Sequence, residues 1–258
     1  MINKILNLDI KNQLWLLLAR KVSRIFKIYF VPAKKKYLPN RNHPLQNLNF
    51  FFDNQYKNFK NKKFNFNKDL YRSLVNNFSK NQSIKLLDFG GENIDLYLFL
   101  KSKFSKIKIY VINQPQLNNY IKNFVFKKKI SDINILTNIN KIKKLHFNYV
   151  YFGSSLQYIK DYEKILKILF KKKIKYFYIS ATSFFYSDIL GDKIVLKQVN
   201  LLPNVLYCYS FNFRYIVNLF KNNGYSVVSK KTNSYKKINF RNFPVEIDYL
   251  NILFERKS

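Results

Sequence analysis

The sequence predicts an α/β domain on a mostly parallel, seven-stranded sheet that ends in an antiparallel strand pair. Three observations predict it. From Lys85 onward, short apolar runs alternate with helix-length amphipathic segments, the pattern of a parallel sheet covered on both faces. The stretch KLLDFGGENIDLYLFLKSKF, Lys85 to Phe104, reads as strand, Gly-Gly turn and helix. The last helix is followed by two strands in succession, which closes the sheet with an antiparallel pair.

In chain order, residues 1–31 contain one apolar run, Leu14 to Ala19, far short of the roughly 20 residues that span a bilayer. Asp9 in the leading segment argues against a signal peptide. The spacing of Leu14, Leu17, Leu18, Val22, Ile25 and Phe26 predicts an amphipathic helix that either packs on the domain or lies on a membrane surface. Pro32, Pro39 and Pro44 among many Asn residues predict an irregular connection to Asn67, with His43 inside it. A short helix follows from Asp69 to Phe78, so residues 1–80 form a helical extension to a domain spanning 81–258.

The first strand, Lys85 to Phe89, leads into a helix carrying Leu96, Tyr97, Leu100 and Phe104 on one side. Lys106 to Ile112 is the second strand, and Pro115 stands at a natural first helical position. Ile133 to Leu136 is a short third strand with a brief helical segment after it. Tyr149 to Phe152 is the fourth, ending at Gly153, Ser154 and Ser155. Asp161 opens a helix with Tyr162, Ile165, Leu166 and Leu169 on one face, and Tyr176 to Ser180 is the fifth strand. Residues 181–210 read as an irregular, lid-like insertion. Phe213, Ile216, Val217 and Phe220 then line a helix closed by Gly224, before strands at Tyr225 to Ser229 and about Val245 to Phe254.

Composition excludes several classes. With 1 Cys, Cys208, no disulfide framework exists, which points to a reducing, cytoplasmic compartment. With 2 His besides, no His/Cys metal cluster is available, so no metal is expected. The net charge of +33 has the sign of a nucleic-acid binder. Lys greatly outnumbers Arg, however, and occurs in scattered runs such as Lys34 to Lys36 and Lys127 to Lys129. Compositional bias therefore accounts for the charge better, and it leaves weak attraction to anionic membranes. FGSSL lacks the G-x-S-x-G elbow of a hydrolase nucleophile.

A strand ending in an acidic residue and Gly-Gly before a helix brings backbone N–H groups to a ligand. With LLDFGG (Leu86 to Gly91), NQP (Asn113 to Pro115), FGSSLQYI (Phe152 to Ile159), YISATSFF (Tyr178 to Phe185), the Gln198, Pro203, Tyr207 series and NNGYSVV (Asn222 to Val228), the chain resembles class I S-adenosylmethionine-dependent methyltransferases. More narrowly, it is similar to a methyltransferase family that accompanies surface-polysaccharide biosynthesis genes.

The resemblance implies a Rossmann-like fold, S-adenosylmethionine as cofactor, and a small-molecule or polysaccharide acceptor, with peripheral association at the inner membrane face. It places Asp88, Phe89, Gly90 and Gly91 against the methionine and ribose, Asn113 and Gln114 at the ribose hydroxyls, and Thr137 and Asn138 near the adenine. Ser154, Ser155 and Leu156 would close over the sulfonium, with Gln157 and Tyr158 toward the acceptor. Asp188 in the long insertion is a further candidate for catalysis, whereas His146 falls before the fourth strand at its wrong end.

Three departures from the family pattern stand out. Glu92 and Ile94 occupy positions where the family has glycine, and a turn of the usual shape would strain each by about 1 to 3 kcal/mol. Asn113 replaces a carboxylate, and Ala181 replaces an arginine. An RNA methyltransferase and a catalytically inactive binding module on the same fold are the competing readings.

Overall fold

The computed structural model describes residues 30–34, 48–63, 68–199, 206–232 and 245–257, together with Pro39 and helical positions Leu14, Leu17, Leu18, Lys21, Val22, Ile25 and Phe26. His43, Pro44 and Pro203 lie outside the described residues. The elements are β1 Phe30–Pro32, α1 Leu48–Lys60, α2 Asp69–Asn77, β2 Ile84–Phe89, α3 Ile94–Lys103, β3 Ile107–Ile112, α4 Pro115–Lys127, β4 Ile133–Leu136 and α5 Ile139–Lys143. They continue with β5 Tyr149–Gly153, a 3₁₀ turn Leu156–Tyr158, α6 Tyr162–Phe170, β6 Tyr176–Phe185, β7 Lys193–Gln198, β8 Leu206–Asn212, α7 Phe213–Lys221, β9 Tyr225–Thr232 and β10 Ile247–Arg256.

The main sheet runs β4-β3-β2-β5-β6-β10-β9. Its first five strands are parallel, and β10 is antiparallel to both β6 and β9. Central strands of this kind bury both faces, which is why Leu86, Leu87, Asp88 and Phe89 are all buried in β2. On one face α5, α6 and α7 cover a core that includes Leu166, Leu169, Phe177 and Phe220. The rings of Phe220 and Phe254 stack there at 3.9 Å. On the other face α1 to α4 cover Leu74, Leu86, Tyr97, Leu100 and Ile121.

Two stretches differ from the sequence reading. Residues 181–210, expected to be irregular and lid-like, carry β6 on to Phe185 and then supply β7 and β8. β8 runs beside the last two residues of β6, β7 is antiparallel to β8, and β1 pairs with the outer edge of β7. This wing has its own small core of Phe30, Phe185, Leu196, Cys208, Ile247 and Tyr249. Because these residues come from distant parts of the chain, the pairing has no local signal. Residues 32–67, also expected to be irregular, contain α1. Its Phe52 and Gln55 are buried while Asp53 and Asn54 are exposed, a helical face obscured by the surrounding Asn residues.

β6 is thus shared. β5 pairs with Tyr176 to Ser180, β8 with Phe184 and Phe185, and β10 with the strand along its length. The change of partner coincides with a bulge in β10 between Leu250 and Ile252 and a left-handed Ala181 at φ +47°. Asn251 fills the bulge. Its Oδ1 accepts from Ser180 Oγ at 2.9 Å and Ala181 N at 2.8 Å, and its Nδ2 donates to Asp69 Oδ2 of α2 at 2.8 Å. Asn251→Ala removes the acceptor of Ala181 N and Ser180 Oγ and the donor to Asp69 in a site only 4% exposed. The expected cost is about 2 to 4 kcal/mol in urea unfolding, with secondary structure retained by circular dichroism. A loss below about 1 kcal/mol would show that water replaces the amide.

Candidate functional site

A cleft of about 280 Å³ opens at the carboxyl ends of the parallel strands. Its walls are Phe89 and Gly90 after β2, Ile112, Asn113 and Gln114 after β3, Thr137, Asn138 and Ile139 after β4, and Ser155, Tyr158 and Ile159 after β5. β2 is where the strand order reverses, because the chain goes from β2 to β3 and β4 on one side and then to β5 on the other. Connections diverge at such a point and leave a crevice beyond the strand ends.

The β2 and β5 loops meet at Gly90. Its φ of +83° suits glycine, and a Cβ there would fall 2.5 Å from Ser155 Cβ. Ser155 Oγ in turn donates to the Phe89 carbonyl, which pins the two loops together. Gly91 closes a second contact. A Cβ at Gly91 would lie 2.0 Å from the Tyr97 hydroxyl and 2.3 Å from Asp88 Oδ2, so the residue must be small for Asp88 and Tyr97 to meet behind it.

Asp88 is 1% exposed. Its Oδ2 accepts from Tyr97 Oη at 2.8 Å, and its Oδ1 has no hydrogen-bond partner among the described residues. Burial pushes the carboxyl up to about 7, against the hydrogen bond from Tyr97, and Glu92 adds a smaller upward push. Burial and the neighbouring carboxylate likewise raise the Tyr97 phenol.

The strain expected at Glu92 and Ile94 does not arise, since neither has a positive φ. The loop takes another shape. Ile94 opens α3 and is fully buried, while Gln55 of α1 accepts from Ile94 N at 2.6 Å and donates to the Glu92 carbonyl at 3.2 Å. A side chain from the N-terminal extension therefore caps the helix that the usual glycine loop would lead into.

The residues singled out from sequence fall into three groups. Phe89, Gly90, Asn113, Gln114, Thr137, Asn138, Ser155 and Tyr158 line the cleft together. Asp88 and Gly91 stand behind its first turn, and Ser154 follows β5 with φ +56° and its N–H bonded to the Ser180 carbonyl. Leu156 is fully buried in the core.

The remaining candidates have other work. Gln157 is 1% exposed, and its Oε1 accepts from Ser183 N at 3.0 Å, bridging the gap in β6 between its β5 and β8 partners. Asp188 pairs with Arg214 on the surface of the wing and lines a separate depression with Asp192 and Asn212. It is held in a surface ion pair away from the cleft. His146 is exposed just before β5, at the amino ends of the parallel strands and so at the opposite end from the cleft.

Asn113 lines the cleft with its amide committed. Nδ2 donates to the Gly91 carbonyl at 3.1 Å, and Oδ1 accepts from Gln114 N at 2.8 Å. Asn118 holds the same loop, accepting from Asn113 N and donating to the carbonyls of Asn113 and Leu136. Gln55 and Asn118 were not singled out from sequence because Gln55 acts on a loop distant in the chain and Asn118 through backbone groups, while Tyr97, read as a face residue of its helix, also holds Asp88.

The raised carboxyl of Asp88 has a testable consequence. The unfolded chain releases this proton near the ordinary value of 3.8 and the folded chain only near 7. The contribution of Asp88 to stability is therefore greatest below about pH 4, falls as pH rises toward 7, and levels off above it. Urea unfolding should show the stability of wild type relative to Asp88→Asn falling by on the order of 4 kcal/mol across that window. Parallel pH profiles for the two proteins would contradict it.

No family model matches the chain, and no curated protein sequence matches it. Among solved structures, it is similar to an S-adenosylmethionine-dependent methyltransferase from Clostridium acetobutylicum ATCC 824, with a TM-score of 0.50 and 13% identity over 81% of this chain and 99% of that one. It is also similar to a "putative sarcosine dimethylglycine methyltransferase" from Galdieria sulphuraria, with a TM-score of 0.51 and 11% identity over 72% of this chain and 83% of that one. At such identities the likeness is one of fold. The chain has the Rossmann-like α/β fold of class I S-adenosylmethionine-dependent methyltransferases, with its mostly parallel sheet and terminal antiparallel pair.

Proposed function

We propose that the cleft binds S-adenosylmethionine and that the protein transfers its methyl group to a carbohydrate acceptor of surface-polysaccharide biosynthesis. The observation that carries the cofactor reading is the convergence of the loops after β2, β3, β4 and β5 on one crevice at the strand-order reversal. Two local features fit the cofactor. Gly90, whose φ of +83° and missing side chain let the β2 and β5 loops meet, forms part of the cleft wall, and behind that turn Asp88 Oδ1 is a buried acceptor with no hydrogen-bond partner among the described residues. Ile112, Ile139 and Ile159 offer apolar walls for a purine, with Thr137 and Asn138 at its polar edge and Gln114 toward the ribose.

When bound, S-adenosylmethionine supplies a methyl group already activated by a positive sulfur. What remains for the chain is to align an acceptor and keep water away. No carboxylate or imidazole is among the described residues lining the cleft, which suits alignment better than strong base catalysis. On the acceptor side Tyr158 Oη donates to Gln198 Oε1 at 2.8 Å, which ties the wing to the cleft and sets a polar, aromatic rim. The carbohydrate part rests on the motif resemblance and on that rim. RNA is the second reading, favoured by the net charge of +33.

Calorimetry and thermal shift with S-adenosylmethionine test the cofactor reading. Binding should raise the melting temperature. Gln114→Ala, at an exposed position, should weaken binding about tenfold without changing the stability of the free protein, whereas Gly90→Ala should abolish binding. Neither heat nor shift at millimolar cofactor would leave a binding module on a methyltransferase fold. Labelled methyl incorporation into glycan rather than RNA fractions separates the two acceptors.

A further inference from the structure

Leu14, Leu17, Leu18, Val22, Ile25 and Phe26 are helical, and each is between 43% and 68% exposed. At 100° per residue these positions share roughly half of the helix circumference. Comparable stripes in the domain are covered, as Tyr162, Leu166 and Leu169 are in α6. Among the described residues nothing covers this stripe. The charge around it is one-sided. From Lys11 to Phe52 the sequence has no Asp or Glu, while Arg20, Lys21, Arg24 and Lys27 occur in the same stretch of sequence and Lys34 to Lys36 follow.

We propose that this N-terminal helix docks on an anionic lipid surface, with the apolar stripe at the acyl boundary and the cations among the headgroups. Pairing with a second copy would bring two acid-free basic segments together, which costs electrostatic energy. Nucleic acid would attract the cations but offers nothing to the Leu, Ile and Phe side chains. A lipid surface with negative headgroups satisfies both, and Lys21 within the stripe has a stem long enough to lift its ammonium to the headgroups. Among the described residues no helix is long and apolar enough to cross a membrane.

The attachment has a position. Phe26 is four residues ahead of Phe30, the first residue of β1, and Phe30 lies opposite Gln198 of β7. Gln198 holds Tyr158, a wall of the cleft. The docked helix therefore joins the fold one strand pair away from the cleft, which favours an acceptor held at the membrane. The docking itself stands whether or not the cleft transfers methyl groups.

Trp15 is the single tryptophan, so its emission reports on this segment alone. The full chain should cosediment with vesicles of equal parts phosphatidylglycerol and phosphatidylcholine, with a blue shift of Trp15 emission that weakens as salt is raised. It should ignore pure phosphatidylcholine. The double variant Ile25→Glu, Phe26→Glu should bind about a hundredfold more weakly with unchanged circular dichroism and melting temperature. Absence of cosedimentation with the anionic vesicles would overturn the proposal. So would undiminished binding of the double variant, which would assign the attraction to other cations, or a concentration-dependent dimer that the double variant abolishes.

Discussion

Burying Asp88 at the end of β2 removes a carboxylate from water, and the Tyr97 hydroxyl is the single hydrogen bond it receives among the described residues. That bond fixes the first turn of α3 beneath the strand end, and the contact is possible because Gly91 has no side chain to intrude. The start of α3 then falls where Gln55 of α1 can reach Ile94 N. Gly90 is left to turn the chain toward Ser155 and close the seam between the β2 and β5 loops. The position of the cleft is thus a consequence of one costly burial and the small residues that permit it.

The wing extends this logic outward. A strand has two edges, and β6 gives one of them first to β5 and then to β8, so one element belongs to both the main sheet and the wing. Between the two partners a backbone N–H would be orphaned at Ser183, and Gln157 supplies its acceptor. On the far edge Asn251 does the same for Ala181 at the β10 bulge. Amides standing in for missing strand partners are the recurring device by which β6 changes partners without leaving the N–H groups of Ala181 and Ser183 unpaired.

The parallel strands were legible because each is a short apolar run between turn residues, as in KIKIYVI before Asn113 and YVYF before Gly153. The terminal strand pair was legible for the same reason. β7 and β8 were not, since their cohesion depends on Phe30 and Ile247 from opposite ends of the sequence. For the cleft, sequence identified the strand ends that converge and not what each side chain does there. Asn113 and Gln157 look like ligand contacts in a string of letters, yet their amides are engaged with the backbone around them. Gln55 is the converse case, an unremarked residue in an Asn-rich stretch that replaces the structural work of absent glycines.

β1 carries a consequence for how the molecule is made. Phe30 pairs with Gln198, so a segment synthesised near the start waits for a partner 198 − 30 = 168 residues later. Closing so long a loop is entropically slow, and until it closes the outer edge of β7 is unpaired. Of the described strands, β1 is thus among the last to be seated, and it then replaces the outer edge of β7 with a three-residue edge strand that offers little to strand addition.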